Sequence, residues 1–120
     1  MRVHHLAFRT LDVPRLAAFY RGVLGLELNA RAAGADTESS VWLSLGTAIL
    51  MLERRDPGEP ELTAQSKELV AFAISPGERP GFEARLAQAG VAIEQRTAFT
   101  LYFRDPDGRR VAVSHFPEPP

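Results

Sequence analysis

The chain contains no cysteine. That excludes disulfide staples, a thiol nucleophile and any thiolate metal site, and it suits a reducing cytoplasm. No apolar run approaches the roughly 20 residues that a membrane helix needs. The N-terminus lacks the apolar core of a signal peptide, so the expectation is a cytoplasmic protein with no membrane partner. An excess of one charge is also missing: Lys and Arg total 14 against 15 Asp and Glu. No basic stripe is left to attract nucleic acid. There is no GxGxxG, no phosphate-cradling loop and no nucleophile elbow. What is present is 120 residues, 45% hydrophobic and 24% charged, enough for one compact domain with its own core.

Periodicity and breakers divide the chain. "VHHLAFRT" reads as a strand, followed by a helix over "VPRLAAFYRGVL" with Asp12 as its cap, Pro14 in its first turn and Gly25 as its stop. "LELNAR" reads as a second strand and "AAGADTESS" as a loop. "VWLSLG" and "AILMLE" form a hairpin about Gly46 and Thr47. After the polar stretch Arg54 to Glu68 the pattern restarts. "LVAFAI" is a strand, "ERPGFEARLAQAG" a helix, "VAIEQR" and "FTLYFR" strands, "DPDG" a turn, "RRVAVSHF" the last strand, and "FPEPP" an extended tail.

The two halves repeat one order. "HLAFRT" corresponds to "LVAFAI", "GLEL" to "GVAI", and the hairpin from Trp42 to Glu53 to that from Leu101 to Ser114. The expectation is an α+β fold of two tandem modules, each strand–helix–strand–strand–strand. They span 1–54 and 68–116 of a single domain and are joined by the loop 55–67. Each helix covers one face of its sheet, and the other face needs a sheet or a ligand against it.

With "HHLAFRT", "FYRGVLGLEL", "VWLSLGTAILMLE", "LVAFAI" and "YFRDPDG" in place, nearly the whole chain resembles the vicinal oxygen chelate superfamily. That group includes glyoxalase I, bleomycin-resistance proteins, fosfomycin-resistance enzymes and extradiol dioxygenases. The resemblance implies two βαβββ modules forming a cupped mixed sheet, a homodimer, and a small-molecule ligand in the cup. Metal-dependent members hold a divalent ion at four positions, which fall here on His5, Met51, Leu69 and Ala112. Thioether and hydrocarbon are poor or absent donors for such ions, so the expectation is no cofactor. The alternative is a shifted site around His5 and Glu53, with Ser114 nearby, serving a lyase or dioxygenase.

Strand parity assigns the rest of the cup. His5, Ala7 and Arg9 share one side, as do Ile49, Met51 and Glu53, and Arg110, Ala112 and Ser114, with Trp42, Tyr102 and Arg104 on neighbouring strands. Apolar walls with a few polar groups suit a small-molecule site. The candidate ligand-binding residues are therefore His5, Arg9, Trp42, Met51, Glu53, Tyr102, Arg104 and Ser114. The resemblance implies that Arg9 clamps an anionic group; otherwise it is a surface arginine paired with Glu27 or Glu53. His5 is either a general base or a ring that only hydrogen-bonds within the cup. Trp42 stacks on a planar ligand or packs in the core, and Tyr102 offers its phenol or packs. Asp105 and Asp107 are read as turn residues rather than metal ligands, and Phe19 and Tyr20 as structural. Three functions stay open: a binder of a small hydrophobic or aromatic, in one version anionic, molecule; the metal-dependent enzyme; and a structural or regulatory dimer module with a vestigial cup.

Overall fold

The computed structural model describes residues 1–32, 36–62 and 66–120. Parts of the two expected loops, 33–35 and 63–65, lie outside the described residues. The chain divides into two compact units, Met1–Pro60 and Glu61–Pro120. Among the described residues no helix is long and apolar enough to cross a membrane.

The first unit holds β1 (His5–Thr10), α1 (Val13–Gly22), β2 (Ser40–Leu45) and β3 (Ala48–Arg54). Its sheet runs β1-β3-β2, with β1 parallel and β2 antiparallel to β3. Helix α1 starts where the sequence places it. The Asp12 carboxylate accepts the amide of Arg15 at 3.1 Å, and the Thr10 hydroxyl accepts the amide of Asp12 at 3.1 Å. Both satisfy donors that a helix start leaves unpaired. Val13, Leu16, Ala17, Phe19 and Tyr20 form its buried stripe, which packs on β2 and β3. The Tyr20 ring meets Phe8 of β1 at 5.8 Å. Gly46, at φ 58°, supplies the left-handed geometry a tight hairpin needs at its first turn position.

The expected strand over "LELNAR" is corrected to a single bridge, Leu28 to Leu43. Two backbone bonds flank it, Asn29 to Trp42 at 2.9 Å and Ser44 to Glu27 at 2.8 Å. The Asn29 side chain then ends the strand by accepting the amide of Arg31 at 3.0 Å. This local turn competes with the ladder, and a short 3-10 turn, Ala30–Ala32, follows.

The second unit holds β4 (Val70–Ala73), α2 (Arg79–Gln88), β5 (Ile93–Arg96), β6 (Thr100–Arg104) and β7 (Arg110–Ser114). Its sheet runs β4-β7-β6-β5, with only β4 and β7 parallel. A one-turn 3-10 helix, Pro76–Glu78, leads into α2, and the Glu78 carboxylate accepts the Ser75 amide at 2.7 Å. The β6–β7 turn is organised by Asp105, whose Oδ1 accepts the amides of Asp107 and Arg109 while its Oδ2 takes the Arg109 guanidinium at 2.6 Å. The expected extended tail is corrected to a turn. The amide of Glu118 donates to the His115 carbonyl at 2.8 Å, the buried His115 ring donates from Nδ1 to the Glu118 carbonyl at 2.6 Å, and the Phe116–Pro117 bond is cis.

Candidate functional site

In the first unit, strand alternation builds two unlike faces. Leu50 lies between Leu6 and Leu43, and Leu52 between Phe8 and Val41. All of these but half-buried Leu6 are buried. This is the face that α1 covers. The opposite face carries three rows in register across the strands: His5–Ile49–Ser44, Ala7–Met51–Trp42 and Arg9–Glu53–Ser40. No residue of these rows is fully buried. The result is an apolar ledge with polar groups at both ends.

The polar end nearest Glu53 is closely tied. Glu53 Oε1 accepts from the Trp42 indole N–H at 3.1 Å and from the Ser40 hydroxyl at 3.0 Å. The indole is thus held by its edge in the sheet, with Met51 directly beside it in the ladder. The ion pairs of Arg9 run to the loop 55–67, and Glu53 adds a weaker charge attraction. Arg9 Nε and Nη2 donate to the two oxygens of Glu59 at 3.0 and 2.8 Å, and Nη2 also reaches Asp56 at 3.0 Å. The hydrogen bond and charge of Glu59 raise the Arg9 pKa above its ordinary value. Reciprocally, the Arg9 hydrogen bond and the backbone N–H of Asp56 hold Glu59 below the usual carboxylate range. At the other end, His5 is exposed, and one of the His4 and His5 Nδ1 atoms donates to the other at 3.0 Å.

The second unit brings together a different set. Tyr102 lies in a row with Gln95, Ala112 and Ala71. The Arg110 guanidinium sits 4.6 Å over its ring and donates to Gln95 at 3.3 Å. Arg104 is committed to Glu94 at 2.8 Å and to the Gly108 carbonyl at 3.2 Å. The Ser114 and Thr100 hydroxyls share a hydrogen bond of 2.8 Å.

The structure groups Arg9, Trp42, Met51 and Glu53, and separately stacks Tyr102 with Arg110, which parity put on the inward side but which was not among the candidate ligand-binding residues. It does not unite His5 and Glu53. Glu53 pairs with Arg9, four residues along from His5, or about 13 Å at 3.3 Å per residue. Its carboxylate is also turned to Trp42 and Ser40. Glu59 and Asp56 were missed. The signal was there: "DPGE" at 56–59 places Pro and Gly at the centre of a turn whose two ends are carboxylates.

The positions implied for a resident ion do not make a coordination set. His5 brings an imidazole, but Met51 brings a thioether, Ala112 a methyl group and Leu69 an isobutyl group. None of the last three offers the oxygen or nitrogen a hard or borderline divalent ion selects. Among the described residues no group of three or more His, Asp and Glu side chains converges as metal ligands would.

The lowered carboxylates give a pH expectation. Asp36, Glu59 and Glu78 all lie below the usual range, held by hydrogen bonds from Ser39, Arg9 and the Ser75 backbone respectively. A group depressed in the folded state stabilises it above its unfolded pKa, about 4, and loses that contribution as pH falls through the folded value. Melting temperature is therefore expected to be level from pH 7 to about 5 and to fall below about 4. Calorimetric scans across that range check it, and a fall already complete at pH 5 contradicts it.

Comparison with known proteins agrees with this architecture. Residues 2–113 match the Glyoxalase/Bleomycin resistance protein/Dioxygenase superfamily. The chain is 26% identical over 118 residues to the metallothiol transferase FosB of Shouchella clausii, covering 92% of this chain and 77% of that protein. It superposes on a glyoxalase/dioxygenase from Nostoc punctiforme with a TM-score of 0.76 at 25% identity, covering 98% and 92% of the two chains. For the fosfomycin resistance protein FosX of Mesorhizobium loti the TM-score is 0.75 at 16% identity, covering 94% and 90%. An α+β fold with two small mixed sheets, a recurring strand–helix–hairpin order and a match along nearly its whole length place the chain in the Glyoxalase/Bleomycin resistance protein/Dioxygenase superfamily.

Proposed function

We propose that this protein holds a small, planar, largely apolar molecule against the face of the β1-β3-β2 sheet that α1 leaves bare, without a resident catalytic metal. The observation that carries the reading is the Ala7–Met51–Trp42 row. It pairs a low wall, a polarisable thioether and an indole whose tilt is fixed by Glu53. A large aromatic surface held in advance binds with little loss of side-chain freedom. Methionine beside it adapts to irregular ligand shapes. The protein acts by holding the molecule, as a cytoplasmic homodimer. The name of the FosB relative points to metal chemistry. The side chains at His5, Met51, Leu69 and Ala112, of which the last two offer no donor atom, argue against carrying that chemistry over.

Trp42 is the only tryptophan of the chain, so its fluorescence reports this face directly. Titration with naphthalene-2-carboxamide, a neutral planar probe, is expected to quench it saturably. At about 100 times Kd the probe stabilises the native state by roughly 2.7 kcal/mol, visible as a melting shift. Met51→Lys, which puts a charge on the ledge, is expected to weaken binding at least ~10-fold, the equivalent of about 1.4 kcal/mol. The reading is overturned if no planar aromatic of a broad panel shifts either signal. It is equally overturned if purified protein carries a stoichiometric transition metal that His5→Ala removes. Light scattering checks the dimer, and a monomer at working concentration removes that part.

A further inference from the structure

We infer that the turn Asp56–Glu59 is a built-in competitor, its Glu59 carboxylate occupying the Arg9 fork that a carboxylate-bearing ligand on the same face would need. The inference rests on the ligand face proposed above and names the chemical class it discriminates. Arg9 is in the row next to Met51 on that face, facing Glu53 across the ladder. A guanidinium fork takes a carboxylate through two parallel N–H bonds, and Glu59 makes such a pair here, at 3.0 and 2.8 Å.

Glu59 is not there by the chance lie of a long side chain. Asp56, Pro57, Gly58 and Glu59 form one turn: the Glu59 amide donates to the Asp56 carbonyl at 3.2 Å, and Gly58 has φ 85°. Pro before a left-handed Gly is the type II arrangement. It stiffens the segment and points its two end carboxylates the same way, both onto Arg9. The turn is anchored from below, where the Arg55 amide donates to the Thr10 carbonyl at 2.8 Å and extends the β1–β3 ladder. The Glu59 carboxylate also accepts the Asp56 amide, so it is fixed from within the turn as well as by Arg9. Beside it a cleft of about 680 Å³ is lined by Arg9, Leu11, Ser39, Arg54 and Arg55 together with residues 56–58 of the turn. A ligand carboxylate arriving there finds guanidinium groups nearby but the Arg9 fork filled. Neutral planar ligands meet no such competition, so the turn biases the face toward them.

The test compares naphthalene-2-carboxylate with naphthalene-2-carboxamide by Trp42 fluorescence in wild type, Glu59→Gln, Gly58→Ala and Arg9→Gln. Glu59→Gln is expected to tighten the carboxylate about fivefold and to leave the carboxamide unchanged. At Gly58 an added Cβ meets nothing within 4 Å. Gly58→Ala therefore strains only the backbone and is expected to act in the same direction more weakly, with every charged group retained. Arg9→Gln is expected to abolish the gain in a Glu59→Gln background. The inference falls if Glu59→Gln leaves carboxylate affinity unchanged or raises both probes alike. If the carboxamide binds and the carboxylate shows no gain, the competitor fails while the ligand face stands. If neither probe binds any variant, both fail.

Discussion

Asp105→Ala is expected to cost about 3 kcal/mol of stability, the lower end for breaking a buried ion pair, because Asp107 stays 4.0 Å from the Arg109 guanidinium. The Asp105 side chain is fully buried and Arg109 is 12% exposed. The carboxylate serves three donors at once, the amides of Asp107 and Arg109 and the Arg109 guanidinium. Alanine removes both acceptor oxygens, and with them three hydrogen bonds, and leaves the guanidinium in a nearly dry site. Asp105→Asn keeps a carbonyl for the backbone donors but loses the charge, and is expected to recover only part of the loss. Chemical denaturation measures both, with an unchanged slope showing that stability rather than compactness has altered. A loss under about 1 kcal/mol would mean that the turn does not depend on this carboxylate. The same geometry explains why the first acid of "DPDG" is turn chemistry: the Asp105 carboxylate is bonded within its own loop.

Leu50→Ala is expected to cost about 3–4 kcal/mol, whereas its neighbour Met51→Ala is expected to cost less than about 1.5 kcal/mol. Leu50 is 0% exposed, flanked by Leu6 and Leu43 on the face that α1 covers. Removing the isopropyl end of its side chain leaves a cavity that fixed neighbours on three strands cannot close. Met51 is half-buried on the opposite face, where solvent can fill the space. The contrast in denaturant midpoint between two adjacent residues is the measurement. Equal losses would show that the bare face is packed as tightly as the core and is not available to a ligand.

Much of this architecture could be read from the sequence because it rests on local rules. Asp12 capping α1, Gly46 turning the hairpin and alternation along β1 and β3 each depend on a few adjacent residues. The strand expected at "LELNAR" failed for a local reason of another kind. Asn29 turns its side-chain oxygen to the Arg31 amide while its nitrogen reaches Ser44, which hydrophobic pattern does not reveal. The tail was misread because its turn depends on the burial of His115, a tertiary fact. Within the site, parity put Arg9, Met51 and Glu53 on one face and left Trp42 on a neighbouring strand with no face assigned. It could not supply the strand register, and register is what sets Glu53 opposite Arg9 instead of His5. Arg9's true partners come from the linking loop, where no period operates and only the turn signature of "DPGE" carries information.

The two-sided build of β1, β2 and β3 separates two kinds of inheritance within one short strand. Even-numbered positions of β3, such as Leu50 and Leu52, answer to folding, and a change there is felt by the whole unit. Odd-numbered positions, Ile49 and Met51 among them, stand half-buried on the opposite face, where the proposed ligand would rest. On that proposal, the outer face could exchange one guest for another over evolutionary time while the hydrocarbon layer beneath it kept the same shape.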